Sequence, residues 1–315
     1  MTPWIFNILQ AMLLVGLAPL AAAVLKRLKA RFQNRRGPGF LQSYRDLAKL
    51  FAKEPVLTDQ ASWIFRLAPY VIFCVTVLAV AIVPVILVHT PFSMAADVIT
   101  LVGLLAVARF FTALAAMDLG TAFGGMGASR EMTFAAMAEP AMLMSVFVLS
   151  TAAQSTNLST VIDTMLNGHL GLRPSLAFAF IAMLMVAIAE TGRIPIDNPS
   201  THLELTMVHE AMILEYSGRY LALIEWANQI KLLLFATLLI NLFCPWGMAM
   251  EADGPVMLIS MAAWISKLFV LFVLLTLMET WMAKMRIFRV PDYLGLAFLL
   301  AILGMLTHHI LEVGV

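Results

Sequence analysis

Eight apolar runs, each near the length that crosses a bilayer, constrain this chain more than any motif in it. A hydrocarbon core about 30 Å thick takes roughly 20 predominantly apolar residues in a helix, since no water is available there to satisfy the backbone. The runs are Ile5 to Leu25, Leu67 to Val88, Val98 to Ala116, Met132 to Thr151, Leu176 to Ala189, Tyr220 to Leu242, Met257 to Met278 and Tyr293 to Leu306. The fifth and eighth are short. With 62% hydrophobic residues the chain exceeds the roughly half found in ordinary globular domains. The sequence therefore predicts an all-α polytopic membrane protein of about eight transmembrane helices, a single integral membrane domain over residues 1–315.

Basic residues set the orientation. Sixteen of the 20 Lys and Arg fall in four loops of one side, ten of them between the first two runs, while Arg173 alone marks the other side. The positive-inside rule places those four loops in the cytoplasm and both termini outside the cytoplasmic (inner) membrane. The first run has an uncharged N-terminal flank and positive charges after it, the pattern of a retained helix rather than a cleaved signal. Cys74 and Cys244 lack CxxC spacing, so neither an iron–sulfur cluster nor a zinc site is expected within this chain. No glycine-rich phosphate loop follows a strand pattern, which argues against nucleotide binding.

Against only 12% charged residues, the stretch from Glu190 to Arg219 concentrates Glu190, Asp197, Glu204, Glu210 and Glu215 between two runs. Glu139, Glu190, Glu225 and Glu279 all lie near cytoplasmic ends of spans, at similar depth by topology. Carboxylates are costly there, so four together point to a buried acidic cluster that handles protons or ions. Such crowding predicts that at least one proton is retained near neutral pH. The spacing of Glu204, Val208, Ala211 and Glu215 places them on one helix face, extending an acidic path toward the cytoplasm. Lys231, Lys267 and Arg109 lie deeper and should face the interior, near a carboxylate or water. His308 and His309, at the outer end of the last run, are expected to be interfacial.

Two loops carry further patterns. Residues 35–55, RRGPGFLQSYRDLAKLFAKEP, turn at Gly37-Pro38-Gly39 and then place Leu41, Leu47, Leu50 and Phe51 at helical spacing beside Arg45, Lys49 and Lys53. An amphipathic helix on the membrane surface or beneath a partner is expected, though charges that merely fix topology fit equally. The loop DLGTAFGGMGASRE, from Asp118 to Glu131, is expected to make a tight re-entrant turn, with Ser129 and Glu131 capping the next span.

In this order the motifs resemble the quinone-site membrane subunit of respiratory complex I and its relatives in the membrane-bound group 4 NiFe hydrogenases, formate hydrogenlyase included. RRGP at 35–38, LQ at 41–42, Asp46, KL at 49–50 and KE at 53–54 look like the first-loop signature; Arg130 with Glu139, AETGRIPID at 189–197 with Glu204-Leu205, and Glu225-Trp226-Ala227-Asn228 follow in register. FGGMGASRE and THLELTMVHEAMILEYSG look like the hydrogenase branch, and Ser200 and His202 stand where complex I usually has further acids.

The resemblance implies a non-redox subunit that anchors a hydrophilic arm and couples electron transfer to proton or sodium translocation. It implies no cofactor in this chain, with the NiFe centre and iron–sulfur clusters in partner subunits, and antiporter-like membrane subunits as neighbours. On this reading the proton pathway comprises Glu139, Glu190, Glu225, Glu204, Glu215, Glu279, Asp197, Lys231 and Lys267. Arg35, Arg36, Asp46, Arg130 and Arg193 serve docking and structure. A quinone-binding subunit of a complex I and an independent cation transporter stay open as rivals.

Overall fold

The computed structural model describes residues 2–58, 60–89, 92, 96–167, 173–197, 208–250 and 254–312. Eleven α-helices account for most of them: α1 (Thr2–Phe32), α2 (Gln42–Ala52), α3 (Trp63–Ile82), α4 (Val98–Asp118), α5 (Ala122–Ala153), α6 (Leu158–Asn167), α7 (Pro174–Glu190), α8 (His209–Ile213), α9 (Gly218–Phe243), α10 (Gly254–Trp281) and α11 (Val290–Thr307). Seven are long and apolar enough to cross a membrane, and α7 is a shorter apolar helix. Together they coincide with the eight runs seen in the sequence, and no strand occurs among the described residues.

In lipid, helices gain little hydrophobic energy from one another, so association relies on close packing and hydrogen bonds. Central α9 packs against α1, α3 and the surface helix α2, while α5, α7 and α11 form a second mutually packed group. Two-thirds of the apolar window of α9 is buried, 67%, against 28% for α10 and α11, which makes those two peripheral. After α3 the backbone leaves the helix at residues 83–88, where its polar groups need partners. Gln10 Oε1 accepts from Ile86 N and Leu87 N (3.1 and 3.3 Å), and Asn241 Nδ2 donates to Pro84 O and Val85 O (2.8 and 3.0 Å). Both side chains are buried, as irregular backbone at this depth requires.

Two expectations change. The glycine-rich stretch after Asp118 is not a re-entrant loop: α5 starts at Ala122, capped by Thr121 Oγ1 rather than Ser129, and runs through the glycines. At Gly124 an added Cβ would lie 2.3 Å from Ala116 O, so that glycine serves close backbone approach inside a helix, not a turn. The amphipathic helix expected in the first loop is α2. It packs on α9 and α1, with Leu47 buried and Phe51 edge-on to Trp226 at 6.2 Å. Finally, the helix after Val208 spans five residues only. Ala211 is buried but Glu215 lies beyond the helix end, exposed, so the two share no face; Glu204 lies outside the described residues.

Candidate functional site

Alternating helix directions bring the ends of α1, α7 and α10 and the starts of α5 and α9 to one side, the side of the basic loops. Between them lies a cavity of about 460 Å³. Its wall carries four cations, Lys26, Lys29, Arg193 and Lys231, and six acids, Glu131, Glu190, Asp197, Glu210, Glu225 and Glu279. Two ion clusters organise it.

The first centres on Arg109 of α4, which is 6% exposed. Its Nη1 lies 2.6 Å from Glu139 Oε1, its Nη2 pairs with Glu190 Oε1, and its Nε lies 3.5 Å from Glu131 Oε1. Lys231 Nζ reaches Glu190 Oε2 at 2.8 Å. Four helices, α4, α5, α7 and α9, thus contribute to one network. Glu131 and Glu139 lie eight residues apart on α5, about two turns, which sets both toward α4. A guanidinium stands among the three carboxylates. A buried charge that lost such partners would cost on the order of 3–5 kcal/mol.

The second centres on Glu279, the buried acid near the end of α10. Lys29 Nζ lies 2.9 Å from its Oε2 and Arg193 Nη1 2.7 Å from its Oε1. The same seam holds Lys284 Nζ against Asp197 Oδ1 at 2.8 Å and Met285 N donating to Pro195 O at 2.8 Å. The polar turn after α7 is therefore stitched to the end of α10.

Of the nine pathway residues expected from sequence, Glu190, Glu225, Glu279, Asp197 and Lys231 line this cavity, and Glu139 joins through Arg109. Glu225 makes no ion pair among the described residues, although Lys26 and Glu210 face the same space. Lys267 is elsewhere: its Nζ donates to Cys244 O at 2.8 Å and to Trp246 O, capping the end of α9 rather than meeting a carboxylate. Carbonyls at a helix C-terminus carry partial negative charge, which answers the same need. Arg35 and Arg36 are exposed, Asp46 accepts from Gln42 Nε2 at 2.8 Å on α2, and Arg130 sits half-buried on α5. Arg193, expected to dock or brace, holds Glu279. His308 is buried.

Sequence reasoning put Arg109 near a carboxylate or water but took Glu131 for a cap and passed over His209. Asn228 Nδ2 lies 2.6 Å from His209 Nε2, so the ring accepts there and carries its proton on Nδ1. Desolvation, with the Lys231 charge beside it, pulls the His209 pKa down to about 4. The ring is neutral at physiological pH. The loop signal that could have found it is its neighbour Glu210 in a short polar segment between spans.

The segment after α2 is tied to the start of α9. Ser217 holds Val56 through both backbone groups, 2.8 Å to N and 3.0 Å to O, and Gly218 adopts φ +56°. A Cβ at Gly218 would meet Lys53 O at 2.7 Å, so the strained turn and the close approach both require glycine.

The pattern of the NADH dehydrogenase family matches residues 5–309. The chain is 34% identical to formate hydrogenlyase subunit 4 of Escherichia coli (strain K12), over 94% of this chain and 96% of that one. It is 35% identical to hydrogenase-4 component C of the same organism, over 95% and 94%. NADH-quinone oxidoreductase subunit 8 of Rhodothermus marinus is 26% identical over 76% and 74%. A chain of the membrane-bound sulfane sulfur reductase, an archaeal respiratory membrane complex, shares the fold with a TM-score of 0.80 at 17% identity, over 97% of this chain and 99% of that one. Matched from end to end, this multi-pass membrane chain belongs to the NADH dehydrogenase family and is of its formate hydrogenlyase and hydrogenase-4 type.

Proposed function

We propose that this protein is the membrane subunit of an energy-converting NiFe hydrogenase or formate hydrogenlyase-like complex in a cytoplasmic membrane. One integral domain, with both termini outside, anchors a hydrophilic arm on the face of the basic loops. It has no redox role itself: the NiFe centre and iron–sulfur clusters belong to partner subunits, and antiporter-like membrane subunits adjoin it. The observation that carries this reading is the Arg109 network, in which Glu190 is held by two cations at the wall of a polar cavity. Carboxylates and cations with alternative partners can exchange contacts when charge changes nearby, and so convert electron transfer in the arm into proton or sodium movement. Glu225 and Glu210, on the same cavity, are the further acids through which a proton would pass.

The exposed Arg35 and Arg36 support docking on this face. Charge reversal at both should release the hydrogenase module from membranes while this subunit stays inserted; a module that remains bound places docking elsewhere. The purified complex should turn over hydrogen with its soluble donor in quinone-free detergent. Strict dependence on added quinone would overturn the hydrogenase reading in favour of a second one, a quinone-binding subunit of a complex I-type enzyme. That second reading is favoured by the cavity's volume, about 460 Å³, which lies within the small-molecule range.

A further inference from the structure

Behind the Arg109 network is a second, smaller cavity of about 30 Å³, between α3, α4, α8 and α9. It shares Glu131, His209, Asn228 and Lys231 with the larger one, so those four side chains form the partition between the two spaces. A water molecule takes roughly 10–15 Å³ on this measure, so there is room for about two.

The lining is polar in a complementary way. Arg109 Nε has no hydrogen-bond partner among the described residues, although Nη1 and Nη2 are both engaged. Thr76 Oγ1 donates to Ile72 O at 2.6 Å and Thr112 Oγ1 donates to Ala108 O at 2.8 Å, which spends each hydroxyl proton and leaves the oxygens as acceptors. Glu131 supplies a further acceptor. The nearby charges are Arg109 and Lys231 against Glu131, Glu139 and Glu190, and a lining that offers both a donor and acceptors suits a neutral donor–acceptor.

We propose that this inner cavity is a hydration site for one or two water molecules, with Arg109 Nε as the anchoring donor and Thr76, Thr112 and Glu131 as acceptors. The site satisfies the buried guanidinium and extends the Arg109 network to the α3–α4 seam. Its role in proton exchange rests on the coupling reading above; its existence does not.

Cryo-electron microscopy of the purified membrane complex, at a resolution that shows waters in the large cavity, tests it directly. One or two peaks are expected in the inner cavity, about 3 Å from Arg109 Nε. They should vanish in Thr112→Val and persist in Thr112→Ser. An inner cavity without density, or closed by repacking, overturns the proposal. If Thr112→Val does not assemble, the wild-type and Thr112→Ser maps decide. Proton movement per hydrogen turned over should fall by about threefold in Thr112→Val, as loss of one weak neutral hydrogen bond implies. Peaks that are present in the wild type and lost in Thr112→Val, with that ratio unchanged, would establish the water site and overturn its part in coupling.

Discussion

Around Arg109 one guanidinium is shared by three carboxylates, whereas around Glu279 one carboxylate is shared by two cations. With Lys231 included, the first cluster holds two cations against three acids, a surplus of negative charge, and draws on four helices. The second carries a surplus of positive charge and joins α1 and α10 to the turn after α7. A cluster with more acids than cations has contacts to trade and a place for a proton; a single acid clamped by two cations has neither. The two share one cavity, yet the first suits a switch and the second a brace.

The largest expected effect separates them by removing the centre of each. Arg109→Leu leaves Glu190 with Lys231 alone and strips Glu139 of its ion partner, so a loss on the order of 3–5 kcal/mol is predicted. Most of the subunit should then fail to appear in assembled complex on native gels; normal assembly would show that the network is dispensable for folding. Glu279→Gln leaves a neutral acceptor between Lys29 and Arg193, whose side chains are 21% and 18% exposed. A smaller loss of about 1–3 kcal/mol is expected, seen as a lower midpoint of thermal inactivation of the purified complex.

A pH test probes the partition between the cavities. With a folded pKa of about 4 against an ordinary 6.5, His209 stays neutral in the native state while the unfolded chain takes up a proton. The stabilisation of the neutral ring is therefore whole above pH 6.5 and is lost as pH falls toward 4. Hydrogen exchange at α8, corrected for intrinsic rate, should quicken over that window in the wild type and not in His209→Gln. The smallest effect belongs to the contact between the segment after α2 and the start of α9: Ser217→Ala gives up two hydrogen bonds to Val56 at an exposed site, about 1 kcal/mol, with faster exchange confined to residues 53–57 and no change in turnover.

Much of this was legible in the sequence. Runs of apolar residues near bilayer length gave all eight apolar helices, because lipid forces local backbone satisfaction and makes length decisive. Depth along the spans brought Glu190, Glu225 and Glu279 to one cavity, and the cost of an unpaired intramembrane cation predicted that Arg109 would meet a carboxylate or water, of which it meets carboxylates. Periodicity failed where close packing overrides propensity. The glycines at 124 and 127 looked like a turn, but they fit a helix tightly against α4 and against the Val208 carbonyl. Spacing also misled at Glu215, since i, i+4, i+7, i+11 means one face only if the helix lasts that long, and α8 lasts five residues. Lys267 found carbonyls because a helix end offers negative potential that charge counting does not register.

The measurement closest to the centre of this reading is proton movement per hydrogen turned over, in sealed vesicles carrying the assembled complex, for Glu190→Gln beside Glu279→Gln. A switch at Glu190 predicts that its variant keeps hydrogen turnover while coupled proton movement falls about tenfold, the rate equivalent of about 1.4 kcal/mol. The Glu279 variant, normalised for surviving complex, should keep the wild-type ratio. Equal ratios in both variants, or an unchanged ratio in Glu190→Gln, would contradict the division of labour between the two clusters.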